Sequence, residues 1–432
     1  MRHLTKGSRM VALSVAGLLA LAACGGTDDS TAQPENTRPA GGDDRTSEPV
    51  EPTETEAASE TEEPTHGSGD PYSLVRDASG HMPGTAAALA GAIATQNGLE
   101  GDTTADAEGL RQDLTHLLTQ HVYLASNATG AALRGDDMGF QEAAAALGAN
   151  TQDLTDAITS VYGEEGGQAF KGLWEAHIGF FVEYTQATAA GDEAGREAAA
   201  EKLDGYRSDF GAFIESATEG TIPAKAVEDA LKPHVESLFA VIDAQASDDP
   251  ATQYELKKVA AGHMPATAAA LAGGIAQQNG LEGDSASAAG ELLSGLTYLL
   301  DEHVFLATDA TGAALRGETA EFEAAAAALG QNTQGLTDAV TSVYGEEGGQ
   351  AFEGLWEAHI GFFVEYTQAT AAGDEDGRTA AAEKLDGYRT DFGAFIESAT
   401  EGGLPQSAVA DALKPHVESL FAVIDAQANA AK

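Results

Sequence analysis

Cysteine is almost absent: Cys24 is the only one in 432 residues. A disulfide within the chain is therefore excluded, as are cysteine-built zinc, iron–sulfur and covalent haem motifs. Basic residues are also scarce, 22 Lys and Arg against 69 Asp and Glu, for a formal net charge of -47. Such a field repels phosphate and makes nucleic acid and anionic lipid poor partners for the protein body. Alternating apolar runs that would mark strands are nearly missing. So are Gly-x-Ser-x-Gly, phosphate-cradling glycine loops and His-Glu-x-x-His, which removes the usual signs of a hydrolase, a nucleotide enzyme or a zinc peptidase.

At the N-terminus, Arg2, Lys6 and Arg9 precede the apolar run "MVALSVAGLLALAA", too short for a stable membrane span. Residues 1–23 read as an export signal. They end in Leu21-Ala22-Ala23-Cys24, which resembles the lipobox of bacterial lipoproteins. That resemblance implies cleavage before Cys24, lipid on its thiol, and an extracytoplasmic protein anchored to the cell membrane. Residues 24–70 are mostly Thr, Glu, Pro, Asp, Ser and Gly, a composition that reads as a solvated acidic tether spanning ~35 to 40 Å.

The remainder is written twice. "HMPGTAAALAGAIATQNGLEGD" at His81 and "GLWEAHIGFFVEYTQATAAGD" at Gly172 return, the second unchanged, 182 residues later. Residues 71–249 and 250–432 are read as tandem copies of one domain. Within each copy a fainter repeat aligns His121, His177 and His234, each followed by a β-branched residue and, fifteen positions on, by Asp136, Asp192 or Asp249. Ala-rich stretches with Leu and aromatic residues at three and four predict helices. The Asp residues predict caps at hairpin turns. The expectation is an all-α fold, an antiparallel helical bundle of about six helices per copy.

Residues equidistant from a hairpin turn lie at one height. That rule sets Asn150 beside His121, Tyr206 beside His177 and His263 beside His234. The leading helix of the first copy carries His81 at the place equivalent to His263. The expected layer in copy one is His81, His121, Asn150, His177, Tyr206 and His234, duplicated as His263, His303, Asn332, His359, Tyr388 and His416. Asp209 and its duplicate Asp391, one turn beyond the tyrosines, are candidate acceptors for an imidazole N–H. Met82 and Met264 could add a soft ligand.

Two readings compete for the layer. Polar side chains can hydrogen-bond one another and fix which helices pack together. Alternatively, three or four imidazoles can converge on zinc, copper or iron. The run "LTDAITSVYGEEGGQAFKGLWEAHIGFFVEYTQAT", with "HMPATAAALAGGIAQQ" after it, resembles a poorly characterised helical domain of Gram-positive exported proteins. In some of those proteins the domain follows a module labelled copper-amine-oxidase-like, N-terminal. No such module occurs here, so the resemblance implies no oxidase activity, cofactor or catalytic residue. The sequence thus points to a lipid-anchored binding protein with two histidine layers as metal-site candidates. A structural or interaction module of the cell envelope is the alternative, and a metal-dependent oxidoreductase comes third.

Overall fold

Stretches rich in Ala and Leu, opened by Asp and closed by Gly, favour helix over other local structure. The computed structural model describes residues 69–432, which are all-α, with no strand among them. The signal segment, Cys24 and the tether as far as residue 68 lie outside the described residues. The first copy contains α1 (Pro71–Ser79), α2 (Met82–Asn97), α3 (Asp106–Arg134), α4 (Asp137–Ala190), α5 (Glu193–Ala217) and α6 (Ala224–Ala246). The second contains α7 (Pro250–Gly262), α8 (Met264–Asn279), α9 (Ala288–Arg316), α10 (Thr319–Ala372), α11 (Glu375–Ala399) and α12 (Gln406–Ala430).

The predicted caps are present. Asp136, Asp192 and Asp249 accept backbone N–H bonds from Gly139, Gly195 and Thr252 at 2.9, 3.1 and 3.2 Å. Each satisfies a donor that the first helical turn leaves open. Inside α4, Gly163 takes φ 73° and ψ 178°, a backbone conformation that glycine adopts without steric cost. The chain doubles back there, since Lys171 Nζ reaches Gln152 Oε1, nineteen residues away, at 2.9 Å. α4 is therefore a hairpin of two arms, 137–162 and 164–190, and α10 repeats it around Gly345.

Helices α3 to α6 pack in chain order around one core, and α9 to α12 around another. The leading helices do not complete their own bundles. α2 packs on α9 and touches α12, whereas α8 packs on α3. α1 and α7 straddle the junction, α1 lying on α4 and α12, α7 on α10 and α6. The two copies thus exchange α2 and α8, and the described residues fall within one compact unit. The run Pro250–Asn279 is long and apolar enough to cross a bilayer by length and composition alone. Here its α8 half covers α3.

A pseudo-twofold axis relates the copies. Ala107 N–H donates to Glu282 O, and Ala289 N–H to Glu100 O, both at 2.9 Å and both shifted by the repeat offset. On the axis, Tyr123 stacks against its own duplicate position, Phe305, with centroids 4.9 Å apart and planes 9° from parallel. Around that stack, α3 and α9 form a buried polar seam. Thr115 bonds Ser294 at 2.8 Å, Gln112 bonds Thr297 at 3.1 Å, and His116 Nδ1 lies 2.9 Å from Asp301.

Candidate functional site

The apolar stripes of α3, α4 and α6 each carry one histidine into the first bundle, so helical periodicity itself brings three imidazoles into a greasy interior. His121, His177 and His234 are all buried. The Nε2 atoms of His121 and His177 are 3.3 Å apart. Their ring centroids are separated by 5.2 Å, and His234 stands 6.4 Å from His121. In the second bundle His303 and His359 also bring Nε2 atoms to 3.3 Å, with His416 6.3 Å from His303.

Aromatic walls hold the rings. Trp174 lies 4.8 Å from His121 and 4.6 Å from His177, and Tyr206 stacks on His177 at 4.8 Å with planes 18° apart. Trp356 and Tyr388 repeat these contacts. Beside His121 and His234 lies a cavity of about 50 Å³. α8 roofs it with Met264, Thr267, Leu271 and Ile275. In the second bundle a cavity of about 70 Å³ touches His303, His359 and His416, roofed by Met82, Thr85, Leu89 and Ile93 of α2. Neither cavity has an acidic side chain in its wall. On the other side of the first histidine pair a groove of about 220 Å³ reaches His121, His177, Phe140 and Gln186.

Burial keeps these imidazoles neutral. It drives His177 and His359 down to about 3, with a further push from His234 and His416 respectively. His234 and His416 fall to about 4, again mainly through burial. His121 and His303 lie well below the ordinary imidazole range, lowered first by burial and then by their two histidine neighbours. The Nδ1 atoms of all six lack a hydrogen-bond partner. The Trp174 carbonyl faces His177 and offsets a little of its depression, without closing a bond to Nδ1. Tyr206 Oη and the indole nitrogens of Trp174 and Trp356 are likewise buried and unpartnered. Such a concentration of unsatisfied polar atoms is costly, because each gave up water without replacement.

Several expected members of the layer lie elsewhere. His81 is exposed at the start of α2 and acts on His416, not His234, because α2 belongs to the second bundle. His263, half-buried, acts on His234 as the hairpin rule requires. The error for His81 came from taking a unit of sequence as a unit of packing. Asn150 is buried, but its amide donates to Leu117 O at 3.0 Å and Gln120 Oε1 at 3.1 Å, away from the imidazole. Asn332 likewise serves Leu299 O and Glu302, both at 2.9 Å. Asp209 and Asp391 are exposed and support no imidazole. The buried stripe of α5 runs Leu203, Tyr206, Phe210, which turns position 209 toward water.

The polar seam has a faint sequence signal, the offsets at which charge changes between copies, among them Val75 to Lys257, Thr119 to Asp301, Gln120 to Glu302 and Asn127 to Asp309. Lys257, although buried, bonds Asp309 at 2.8 Å and Asn127 at 3.0 Å, and Glu302 accepts from Tyr298 at 2.8 Å and Tyr123 at 3.2 Å.

Among the described residues, no three His, Cys, Asp or Glu side chains are already gathered at ligand distances. The His121–His177 pair nevertheless fits a shared ion. Metal–nitrogen bonds of about 2.0–2.1 Å at a tetrahedral angle place two ligand nitrogens about 3.3–3.4 Å apart. Comparison with models of protein families, with curated proteins and with solved structures finds no match to this chain.

Proposed function

We propose that this protein is a two-site metal-binding protein held at the outer face of the cell membrane by lipid on Cys24. Each bundle takes one transition-metal ion, zinc, copper or iron, between His121 and His177 or between His303 and His359. His234 or His416 swings in as a third ligand. The observation that carries this reading is the 3.3 Å Nε2–Nε2 separation, equal in the two bundles and equal to the edge of a tetrahedral ligand set. In a pair without metal one ring must donate to the other, so the second ring's proton moves to Nδ1, where no hydrogen bond is closed. The groove beside the first pair supplies a path from solvent. The acidic surface concentrates cations around the fold without itself choosing among them.

The test is metal content of the full chain, made without a polyhistidine tag, loaded with zinc, copper or iron and desalted. Two ions per chain are expected. His121→Ala/His177→Ala should retain one, as should His303→Ala/His359→Ala. If no ion is retained and the variants are merely less stable, the histidines serve packing and the protein is a structural module of the envelope. The anchoring half is tested separately: Cys24→Ser should release the protein from membranes, and a membrane-bound mutant would refute it.

A further inference from the structure

The exchange of α2 and α8 sets a methionine from one copy into the wall of the other copy's histidine cavity. Met264 shares a cavity with His121 and His234, and Met82 shares one with His303, His359 and His416. Both methionines are buried, at 3% and 2% exposure. Neither packs at the centre of its own copy's bundle. The nitrogen and sulfur donors in the cavity walls are therefore imidazoles and a thioether, and the oxygen donors are the hydroxyls of Thr and Tyr, with no carboxylate among them.

No carboxylate or thiolate lines either cavity; the phenols there are Tyr162 in the first and Tyr344 and Tyr388 in the second, and no carboxylate or carbonyl closes a hydrogen bond to the Nδ1 atoms behind the rings. That matters for the charge of the guest. Desolvation cost rises with the square of charge, so a divalent ion pays about four times what a monovalent ion of similar size pays. Divalent zinc sites ordinarily offset that cost with anionic ligands or with carboxylates behind the histidines, and both are absent from these linings. Thioether sulfur is a soft donor, and soft donors select monovalent copper among the common transition ions.

Resting on the metal-site reading above, we infer that each core is a site for monovalent copper, with histidines from one copy and a methionine from the other: His121, His177, His234 with Met264, and His303, His359, His416 with Met82. The ion then ties each leading helix to the opposite bundle. Binding and holding require no change of oxidation state.

The experiment titrates the full chain with Cu(I) under anaerobic conditions against a chromogenic Cu(I) chelator, beside a zinc titration, with X-ray absorption to detect sulfur in the coordination shell. Two equivalents of Cu(I) should bind with one sulfur each, more tightly than zinc. Met264→Leu, which keeps volume, should weaken one equivalent by about tenfold or more, about 1.4 kcal/mol. The exchange predicts how variants combine. His121→Ala/Met264→Leu should affect the same single equivalent, whereas His121→Ala/Met82→Leu should affect both. If zinc binds at two per chain through the histidines, with Cu(I) no tighter and the leucine variants silent, monovalent selection fails and the metal-site reading stands. If Cu(I) binds with sulfur but Met264→Leu and His121→Ala strike different equivalents, donation between copies is refuted. If neither ion binds, the metal-site reading itself falls.

Discussion

The two histidine cores and the seam between them follow the same repeat but treat it in opposite ways. In the cores, corresponding distances agree within 0.1 Å: 3.3 and 3.3 Å between Nε2 atoms, and 5.2 and 5.3 Å between ring centroids. In the seam, the pair His116–Asp301 corresponds across the pseudo-twofold to Tyr298 and Thr119, and Tyr123 meets Phe305. A core residue has all its partners within one bundle or the helix exchanged into it. A seam residue faces the other copy, so a charge introduced on one side needs an answer on the other. His116 with Asp301 is such an answer, whereas Lys257 reaches across to the neutral Asn127 and is balanced by Asp309 of its own copy. The junction has thereby become specific to this order of copies, while the cores remain interchangeable.

Separating the copies should have the largest effect. Residues 71–249 alone lose α8, exposing the cavity wall of α3, and leave α2 without its bundle. The expected product is not a stable monomer but a symmetric dimer in which two chains exchange α2, or an aggregate. Sedimentation and circular dichroism check this. A fully helical, stable monomer would show that α2 can close its own bundle.

Acid should strike the cores next. An imidazole whose folded pKa is lowered stays neutral in the native state while the unfolded chain protonates near ~6.5. Between that pH and the native values of about 3 and 4, the unfolded state binds more protons, so stability falls as pH falls. Each buried histidine contributes up to about 1.4 kcal/mol per pH unit across the window. The seam opposes this weakly: burial raises Asp301 to about 6 despite His116, so the native state there holds a proton that the unfolded chain lacks. His116, whose pKa is raised by Asp301 against the pull of burial, opposes it in the same sense. Six histidines outweigh this one pair. The free energy of unfolding from denaturant titrations should drop by at least several kcal/mol between pH 7 and 5, and a flat profile would contradict the neutral, buried cores.

These contrasts also show what a sequence can disclose. Periodicity and caps made the helices legible, because Asp136, Asp192 and Asp249 act within one turn of themselves. The pairing of His121 with His177 was legible because helical faces are local, and His263 beside His234 because a hairpin is short. His81 was not, since nothing in residues 98–105 states whether the following bundle or the distant one receives α2. Asp209 failed for a smaller reason: one turn from a buried tyrosine is not automatically the buried face. The seam left only a trace, as charge differences between copies whose partners lie far along the chain, 185 residues away for Asp301 and 179 for Glu302.

The smallest expected effect concerns those partners. Asp301 is fully buried, so His116→Ala or Asp301→Ala alone should cost about 3 kcal/mol by leaving an uncompensated group. His116→Tyr with Asp301→Thr, which writes the opposite half's pair into this half, should cost about 1 kcal/mol or less in a double-mutant cycle. Additive losses would mean that the pair is not a matched unit.

Anomalous diffraction from crystals of the full chain grown with copper decides whether the two histidine cores hold metal. Two peaks are expected, each about 2 Å from a pair of Nε2 atoms, one pair being His121 and His177, the other His303 and His359. Peaks confined to surface carboxylates, with both imidazole pairs bare, would contradict the metal-site reading.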